Sequence, residues 1–316
     1  MASDTNIYRH DPAASLPVDG AVLPVDMALL ASLPTLPLRA KYLVEGFLTG
    51  RHRSPLKGSS IEFAEYRAYQ AGDELRRVDW RLWGRSDRLC IRIYEEETQL
   101  RVSLLLDASA SMQYRSSPHL LTKLDYARTV LAAMAHLAQR QGDAVGFGFL
   151  AHELDGYLKP RASLPHLRQV MSRLDHPLST TKTHTAQGLQ HLAEILRRRA
   201  LVVVASDFYE EFEELKHSIQ RLRYDGHEVV ALQILDPIEL DFATDEAGFY
   251  VDAEDGTTLP LSPGEVREAY LNQFKTYQLQ LIEMMRSFGG DLITLRTDCP
   301  PIAALSAYLA HREHRI

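Results

Sequence analysis

The residues best suited to binding chemistry follow two apolar runs of the chain. The segment 107–111, Asp-Ala-Ser-Ala-Ser, comes directly after the apolar run 102–106, and Ser206-Asp207 comes directly after the apolar run 201–205. Between them, the loop 179–185 carries several hydroxyl side chains. Carboxylate and hydroxyl oxygens are the ligands that Mg²⁺ prefers in proteins. The candidate ligands of a divalent cation are Asp107, Ser109, Ser111, Thr183 and Asp207.

Both apolar runs have the length and composition of buried strands. In an open parallel sheet, ligands sit in the crevice beyond the carboxyl ends of the strands, so the three segments can converge at one point above the sheet. Two acids and a few neutral hydroxyls leave part of the coordination shell of a divalent cation open. Its open coordination position then favours a carboxylate from a partner protein. We therefore expect Mg²⁺ (or Mn²⁺) to bind there and to hold an acidic residue of a partner.

From residue 100 onward, apolar strands alternate with amphipathic helices. One predicted helix, 120–138, repeats apolar residues at spacings of three and four before Gly142. This alternation predicts an α/β domain over 100–316, with a mostly parallel sheet covered by helices on both faces. An acidic excursion at about 236–262 interrupts it, with eight Asp or Glu and no Lys or Arg between 236 and 256. Asp255-Gly256 predicts a hairpin turn there.

The first 99 residues differ in amino-acid composition from the rest of the chain. Residues 1–40 contain five prolines, which predict an extended arm with at most a short helix. Residues 41–99 mix charges of both signs with aromatic side chains and include the strand-like run Leu89–Tyr94. We predict a small β-rich subdomain for this part of the chain.

Composition excludes several classes of protein. The 316 residues include 35 Lys or Arg and 42 Asp or Glu, a net charge of −7, which argues against a nucleic-acid partner. Two cysteines are too few for a disulfide scaffold or a Cys-rich zinc site. No apolar run approaches the roughly 20 residues of a transmembrane segment, and no secretory signal is visible. We expect a soluble, cytoplasmic protein.

The Asp107-x-Ser109-x-Ser111, Thr183 and Ser206-Asp207 series resembles the metal-ion-dependent adhesion site of von Willebrand factor A (vWA) domains. The resemblance implies that the two serines bind the metal directly, and that the threonine and the second aspartate complete the site directly or through water. Thr183 is the best match because it lies five residues before Gly188-Leu189, where A domains usually carry Ala-Leu. Thr181 and Thr185 are the alternatives.

The flanking segments narrow the resemblance. Gly58–Phe63 and the block Arg67–Trp80, with its Arg, Tyr, Gly-Asp, Arg and Asp-Trp, resemble the bacterial domain of unknown function 58 family, whose members carry this block ahead of an A-like domain. The resemblance spans about Lys41 to the C-terminus. It implies an adaptor or co-chaperone that works with a MoxR-type AAA+ ATPase.

Two other functions remain open at this point. A haloacid dehalogenase-like phosphatase would use Asp107 as its nucleophile, but that chemistry needs an acid two residues later, where Ser109 stands. A metal-free scaffold is the second. The chain contains no Gly-x-Ser-x-Gly elbow and no Walker A loop, so we predict that it is not an enzyme.

Overall fold

The structure of the chain is a computed structural model. It describes residues 25–51, 65–70, 78, 80–86, 88–93, 99–151, 153–176, 184–244, 248–254 and 256–313. Its N-terminal elements are α1 (Met27–Ser32), α2 (Leu36–Arg51), β1 (Glu65–Ala68), α3 (Trp80–Ser86) and β2 (Cys90–Ile93), and β1 pairs with β2 in antiparallel fashion.

The extended arm predicted for residues 1–40 is wrong over residues 27–40, because most of them belong to α1 and α2. Pro37 does not prevent α2, since it is the second residue of the helix, where a backbone N–H has no partner within the helix in any case. Leu43 and Phe47 of α2 are buried in the main core. In the described part of 41–99, α2 continues to Arg51 and β1 pairs with β2, so the β-rich subdomain stays a prediction. Residues 1–24 lie outside the described ranges.

The α/β domain contains the remaining elements. They are β3 (Arg101–Asp107), α4 (Lys123–Arg140), β4 (Ala144–Leu150), β5 (Leu154–Arg161), α5 (Leu164–Asp175), α6 (Thr185–Ile195), β6 (Leu201–Ser206), α7 (Phe212–Tyr224), β7 (Glu228–Leu235), α8 (Pro237–Asp241), β8 (Gly248–Val251), β9 (Thr258–Leu261), α9 (Pro263–Ser287), β10 (Asp291–Arg296) and α10 (Ile302–Glu313). Six strands form one sheet in the order β10-β7-β6-β3-β4-β5. Five of them run parallel, and the edge strand β5 is antiparallel to β4.

Helices cover both faces of this sheet, which confirms the predicted fold class. Successive residues of a strand point to opposite faces, so Val203 of β6 belongs to one core and Val204 to the other. The first core includes residues of α2, α4, α5 and α10, and the second includes residues of α6, α7 and α9. Both faces of the central strands are therefore buried, and this explains why their sequences are continuously apolar rather than alternating.

The acidic excursion contains a short helix and the predicted hairpin. Strands β8 and β9 pair in antiparallel fashion, and Gly256 at their turn has a φ of 74°, which favours glycine. Helix α8 was not predicted. Its N-terminus is formed by Asp236, whose side chain accepts a hydrogen bond from the backbone of α8, while the Glu239 side chain accepts from the Asp236 N–H. This reciprocal pair is a capping box, which stabilises a helix as short as one turn and a half.

Candidate metal site

The candidate site lies where β3 and β6 end side by side. Strand β3 is followed in the chain by its neighbour β4 on one side, whereas β6 is followed by its neighbour β7 on the other side, so the two connections diverge between β3 and β6. Such a change of direction opens a crevice at the carboxyl ends of parallel strands. The register pairs Leu106 with Ala205, which brings the next residues, Asp107 and Ser206, level with each other.

Asp107 is held by hydrogen bonds from both strand ends. Its Oδ1 accepts from the backbone N–H of Ser109 at 2.8 Å, and its Oδ2 accepts from the hydroxyl of Ser206 at 2.5 Å. The residue is only 3% exposed. Burial, followed by the negative charge of Asp207, raises the pKa of Asp107 to about 6. A cation beside these two carboxylates would relieve the repulsion between them.

The two serines and Asp207 bring three side-chain oxygens together. The Oγ atoms of Ser109 and Ser111 are 3.0 Å apart, and Ser111 Oγ donates to Asp207 Oδ2 at 2.7 Å. Neighbouring ligands of an octahedral Mg²⁺ are also separated by about 3.0 Å, given Mg–O distances of 2.0–2.1 Å. The donor set and its spacing therefore fit a small, hard divalent cation.

A strained residue follows Asp207 directly. Phe208 has a φ of 58°, in the left-handed region that bulky side chains rarely adopt. Its backbone N–H donates to Ser206 Oγ at 2.9 Å, and its carbonyl accepts a hydrogen bond from the Tyr277 hydroxyl. These contacts hold Phe208 in its left-handed conformation, and strain of this kind is commonly found at functional sites.

The structure brings four of the five predicted ligands to one place. Thr183 and its alternative Thr181 lie outside the described residues. The second alternative, Thr185, is the first residue of α6 and is buried, and its hydroxyl lowers the pKa of the neighbouring Glu210 carboxyl. Thr185 therefore lines the cleft, but the carboxyl beside it is that of Glu210 rather than that of Asp107 or Asp207.

Three of the predicted ligands, Asp107, Ser109 and Asp207, line a cleft of about 250 Å³ whose wall is acidic. Its lining residues are Asp107, Ser109, His184, Thr185, Ser206, Asp207, Tyr209, Glu210, Glu211, Glu214 and Glu254. Burial is the main cause that raises the pKa of Glu210 to about 7. Its Oε2 accepts from the backbone of Ala186, whereas its Oε1 is buried without a hydrogen-bond partner. The cleft is thus an environment in which an added positive charge is favourable.

A buried lysine supplies a positive charge at the edge of the candidate metal site. The Nζ of Lys123 lies 2.9 Å from Asp207 Oδ2 and 2.6 Å from Glu239 Oε1. Burial lowers the pKa of this ammonium, but the charges of Asp207 and Glu239 outweigh burial, so its pKa lies above the ordinary value for lysine. Lys123 is therefore a charged, fully desolvated cation.

Three of these residues were not identified from the sequence: Lys123, Glu210 and Glu239. A signal existed for Lys123, because it begins α4, and a cation in the first turn is opposed by the helix dipole. Glu210 follows Asp207 by three residues in the same loop, which places it near the site. Within the described ranges, no three His, Cys, Asp or Glu side chains group as a cation site, so any cation here depends on the serine hydroxyls.

Comparisons with known proteins identify relatives along most of the chain. "Uncharacterized protein Rv1480" of Mycobacterium tuberculosis (strain ATCC 25618 / H37Rv) is 27% identical over 292 residues, which cover 91% of this chain and 90% of that protein. "Uncharacterized protein Mb1516" of Mycobacterium bovis matches with the same identity and coverage. Of the helices that the structure describes, none combines the length and apolar character that a membrane span requires.

Similar solved structures include BatB from Bacteroides thetaiotaomicron, with a TM-score of 0.45 and 14% identity, covering 68% of this chain and 99% of BatB. The SpRpn10 VWA domain matches with a TM-score of 0.37 and 14% identity, covering 68% of this chain and 95% of that domain. The family described as "Protein of unknown function DUF58" matches residues 65–279. That match covers more than half of the sequence, and the chain belongs to the DUF58 family.

Proposed function

We propose that this chain is a non-enzymatic protein-interaction module in which Mg²⁺ or Mn²⁺ links the site to an acidic side chain of a partner. The observation that carries this proposal is the convergence of Ser109, Ser111 and Asp207. Their oxygens are spaced as neighbouring ligands of an octahedral ion, although Ser111 and Asp207 are 96 residues apart in the chain.

Each residue has a distinct part in this proposal. The hydroxyls of Ser109 and Ser111 bind the cation directly, and Asp207 binds it directly or through water. Asp107 holds the Ser109 backbone in place, and Thr183 is the expected fifth ligand. The bound cation supplies a Lewis-acidic position that accepts a carboxylate.

The acidic wall makes the interaction depend on the cation. Glu211 and Glu254 line the cleft together with the two aspartates, and these carboxylates repel an incoming carboxylate. An acidic partner side chain therefore binds only when a divalent cation offsets this charge. Removal of the cation by a chelator is expected to release the partner.

The phosphatase alternative has little support from the geometry. Both carboxylate oxygens of Asp107 accept hydrogen bonds, the residue is buried, and Ser109 occupies the position where a general acid would be needed. The alternative of a metal-free scaffold rests on one observation, the ammonium of Lys123, which already contacts Asp207. Partner binding that resists a chelator would favour that alternative.

We further propose that the partner is a MoxR-type AAA+ ATPase and that the chain acts as its adaptor or co-chaperone. The family resemblance implies this partner. A neighbouring surface is suited to protein contact, because Phe249 and Val251 on one face of the β8–β9 hairpin are 77% and 64% exposed. The same hairpin contributes Glu254 to the wall of the cleft.

The test uses the purified chain and the purified MoxR-type ATPase of the same organism. Binding is measured by isothermal titration calorimetry with Mg²⁺ and again with EDTA. We expect binding only with Mg²⁺, and we expect Ser111→Ala to weaken it by about tenfold or more, the scale of losses at metal sites. Ser218→Ala removes a buried hydroxyl in α7 that does not line the cleft, and serves as the control. Equal binding with Mg²⁺ and EDTA would contradict the proposal.

A further inference from the structure

The environment of Lys123 is unusual for a lysine. Its side chain is fully buried, and it begins α4, where the helix dipole places partial positive charge. An ammonium in that position is stable only when carboxylates surround it. Asp207 and Glu239 fulfil this requirement, with the contacts of 2.9 Å and 2.6 Å described above.

One oxygen atom is shared between Lys123 and the candidate metal site. Asp207 Oδ2 accepts from Lys123 Nζ at 2.9 Å and from Ser111 Oγ at 2.7 Å. This is the oxygen that faces the serine pair. A divalent cation bound by the serines and Asp207 must therefore share this carboxylate with an existing positive charge.

We propose that Lys123 is a tethered competitor of the divalent cation, which weakens cation binding and keeps Asp207 in place when the cation is absent. This inference rests on the proposed function. Like charges repel strongly in a desolvated site, so a divalent ion and the ammonium cannot both draw on Asp207 at full strength. Lys123 thus sets the affinity of the site at a lower value than its oxygen ligands alone would produce.

Glu239 provides the second anchor for the ammonium. Its Oε1 contacts Lys123, while its Oε2 accepts from the backbone N–H of Asp236, so the capping box of α8 fixes the carboxylate. Asp236 Oδ2 in turn accepts from the backbone of Ser116, in the segment that follows the serine motif. When a divalent cation draws Asp207 away, Lys123 remains paired with Glu239. Removal of the Glu239 charge leaves Asp207 as the main partner of the ammonium and makes the competitor stronger.

The test is a titration with MnCl₂ alone, in which the signal of free Mn²⁺ is followed by electron paramagnetic resonance. Lys123→Met is expected to tighten Mn²⁺ binding at least tenfold relative to the wild type. Lys123→Arg, which keeps the charge, is expected to remain close to the wild type. Glu239→Gln is expected to weaken binding several-fold. Lys216→Met is the matched control, because it removes the same charge from an exposed pair with Glu213.

Loss of one partner of a buried ion pair can prevent folding, because it leaves an uncompensated charge. The double variant Lys123→Met/Glu239→Gln avoids this, since it removes the ammonium and one of its two carboxylates together. The double variant is expected to bind Mn²⁺ at least tenfold more tightly than the wild type. Circular dichroism of the cation-free protein verifies folding of each variant before titration.

The outcomes separate this inference from the proposed function. If the wild type binds Mn²⁺, and Lys123→Met and the double variant bind it with equal or weaker affinity, the inference is overturned but the proposed function is not. Absence of Mn²⁺ binding in all folded variants overturns both. Mn²⁺ binding by the double variant but not by the wild type supports the competitor role. It indicates that in the wild type the Lys123 ammonium excludes Mn²⁺ from Asp207.

Discussion

The hydroxyl of Ser206 donates a 2.5 Å hydrogen bond to Oδ2 of Asp107, and thereby joins the ends of β6 and β3. The backbone N–H of Ser109 binds the other oxygen of the same carboxylate. Asp107 is therefore oriented by two adjacent strands rather than by its own loop alone. Asp107 fixes the turn that carries Ser109 and Ser111, so its orientation also determines the positions of these two serines.

Removal of the Ser206 hydroxyl is expected to damage cation binding more than stability. Ser206→Ala leaves Asp107 with one hydrogen bond fewer, which raises the pKa of Asp107 further, because this bond favours the charged form. We expect about tenfold weaker Mn²⁺ binding, the usual scale for groups that orient metal ligands, and a loss of about 1 kcal/mol in unfolding free energy.

Mn²⁺ titration and urea unfolding of the cation-free protein measure the two effects separately. Ser218→Ala is the control, because its hydroxyl is also buried but donates to a backbone carbonyl within α7. It should lose a similar amount of stability and retain Mn²⁺ affinity. Equal Mn²⁺ affinity in both variants would contradict an orienting role for Ser206.

Replacement of Asp107 by asparagine is expected to stabilise the cation-free protein. The pKa of Asp107 rises from 3.8 to about 6 on folding, so the unfolded chain ionises first as pH increases. This group therefore lowers the unfolding free energy between about pH 4 and pH 6, by up to about 3 kcal/mol. The Asn side chain of Asp107→Asn does not ionise, so this decrease in unfolding free energy is absent. We expect the variant to be about 1–3 kcal/mol more stable than the wild type at pH 7.5.

Urea unfolding with EDTA at several pH values provides the measurement. The stability difference between Asp107→Asn and the wild type should be small near pH 4, should grow towards pH 6, and should then level off. The same variant should lose Mn²⁺ binding. A difference that does not depend on pH would show that burial and the neighbouring Asp207 do not perturb this carboxyl.

The sheet and the proximity of Asp107 to Asp207 were predictable because each depends on where the apolar strands end. Strands β3 and β6 contain the apolar runs 102–106 and 201–205 from which they were predicted. Helix α4 ends before Gly142, whose φ of 77° favours glycine. Asp107 and Asp207 were found because polar residues at the carboxyl ends of adjacent parallel strands meet.

The lysine network was not predictable, because it depends on contacts between distant segments. Lys123 and Glu239 are 116 residues apart and meet only when α8 packs near the start of α4. The acidic tract 236–256 is also not exposed throughout, since the Glu239 side chain is only 17% exposed and Asp236 is fully buried. Net charge along a segment does not reveal which of its carboxylates are paired.

The identity of the threonine ligand is a further prediction. Thr183 is expected to bind the cation, while the Thr185 hydroxyl lies beside Glu210 and lowers the pKa of that carboxyl. Thr183→Val should weaken Mn²⁺ binding by about tenfold or more. Thr185→Val should change the Mn²⁺ affinity less, because Thr185 lines the wall of the cleft and is not an expected ligand. Mn²⁺ titration of the two isosteric variants, after verification of folding, decides between them. A larger loss in Thr185→Val would assign the ligand role to Thr185 instead.

The exposed face of the β8–β9 hairpin is expected to contribute to partner binding. Phe249 and Val251 lie two residues apart on one face of the hairpin, so truncation of both leaves the buried core intact. Phe249→Ala/Val251→Ala should change the unfolding free energy by less than about 0.5 kcal/mol. Binding of the MoxR-type ATPase in Mg²⁺ should weaken about tenfold or more, because apolar contacts beside the cleft are lost.

Calorimetric titration of the ATPase and Mn²⁺ titration of the double variant separate the surface from the cation site. Mn²⁺ affinity should be unchanged, because neither side chain lines the cleft. Leu164→Ala is the control, since Leu164 is 56% exposed but begins α5 and does not line the cleft. Equal loss of ATPase binding in both variants would mean that general surface hydrophobicity, rather than this hairpin, promotes the interaction.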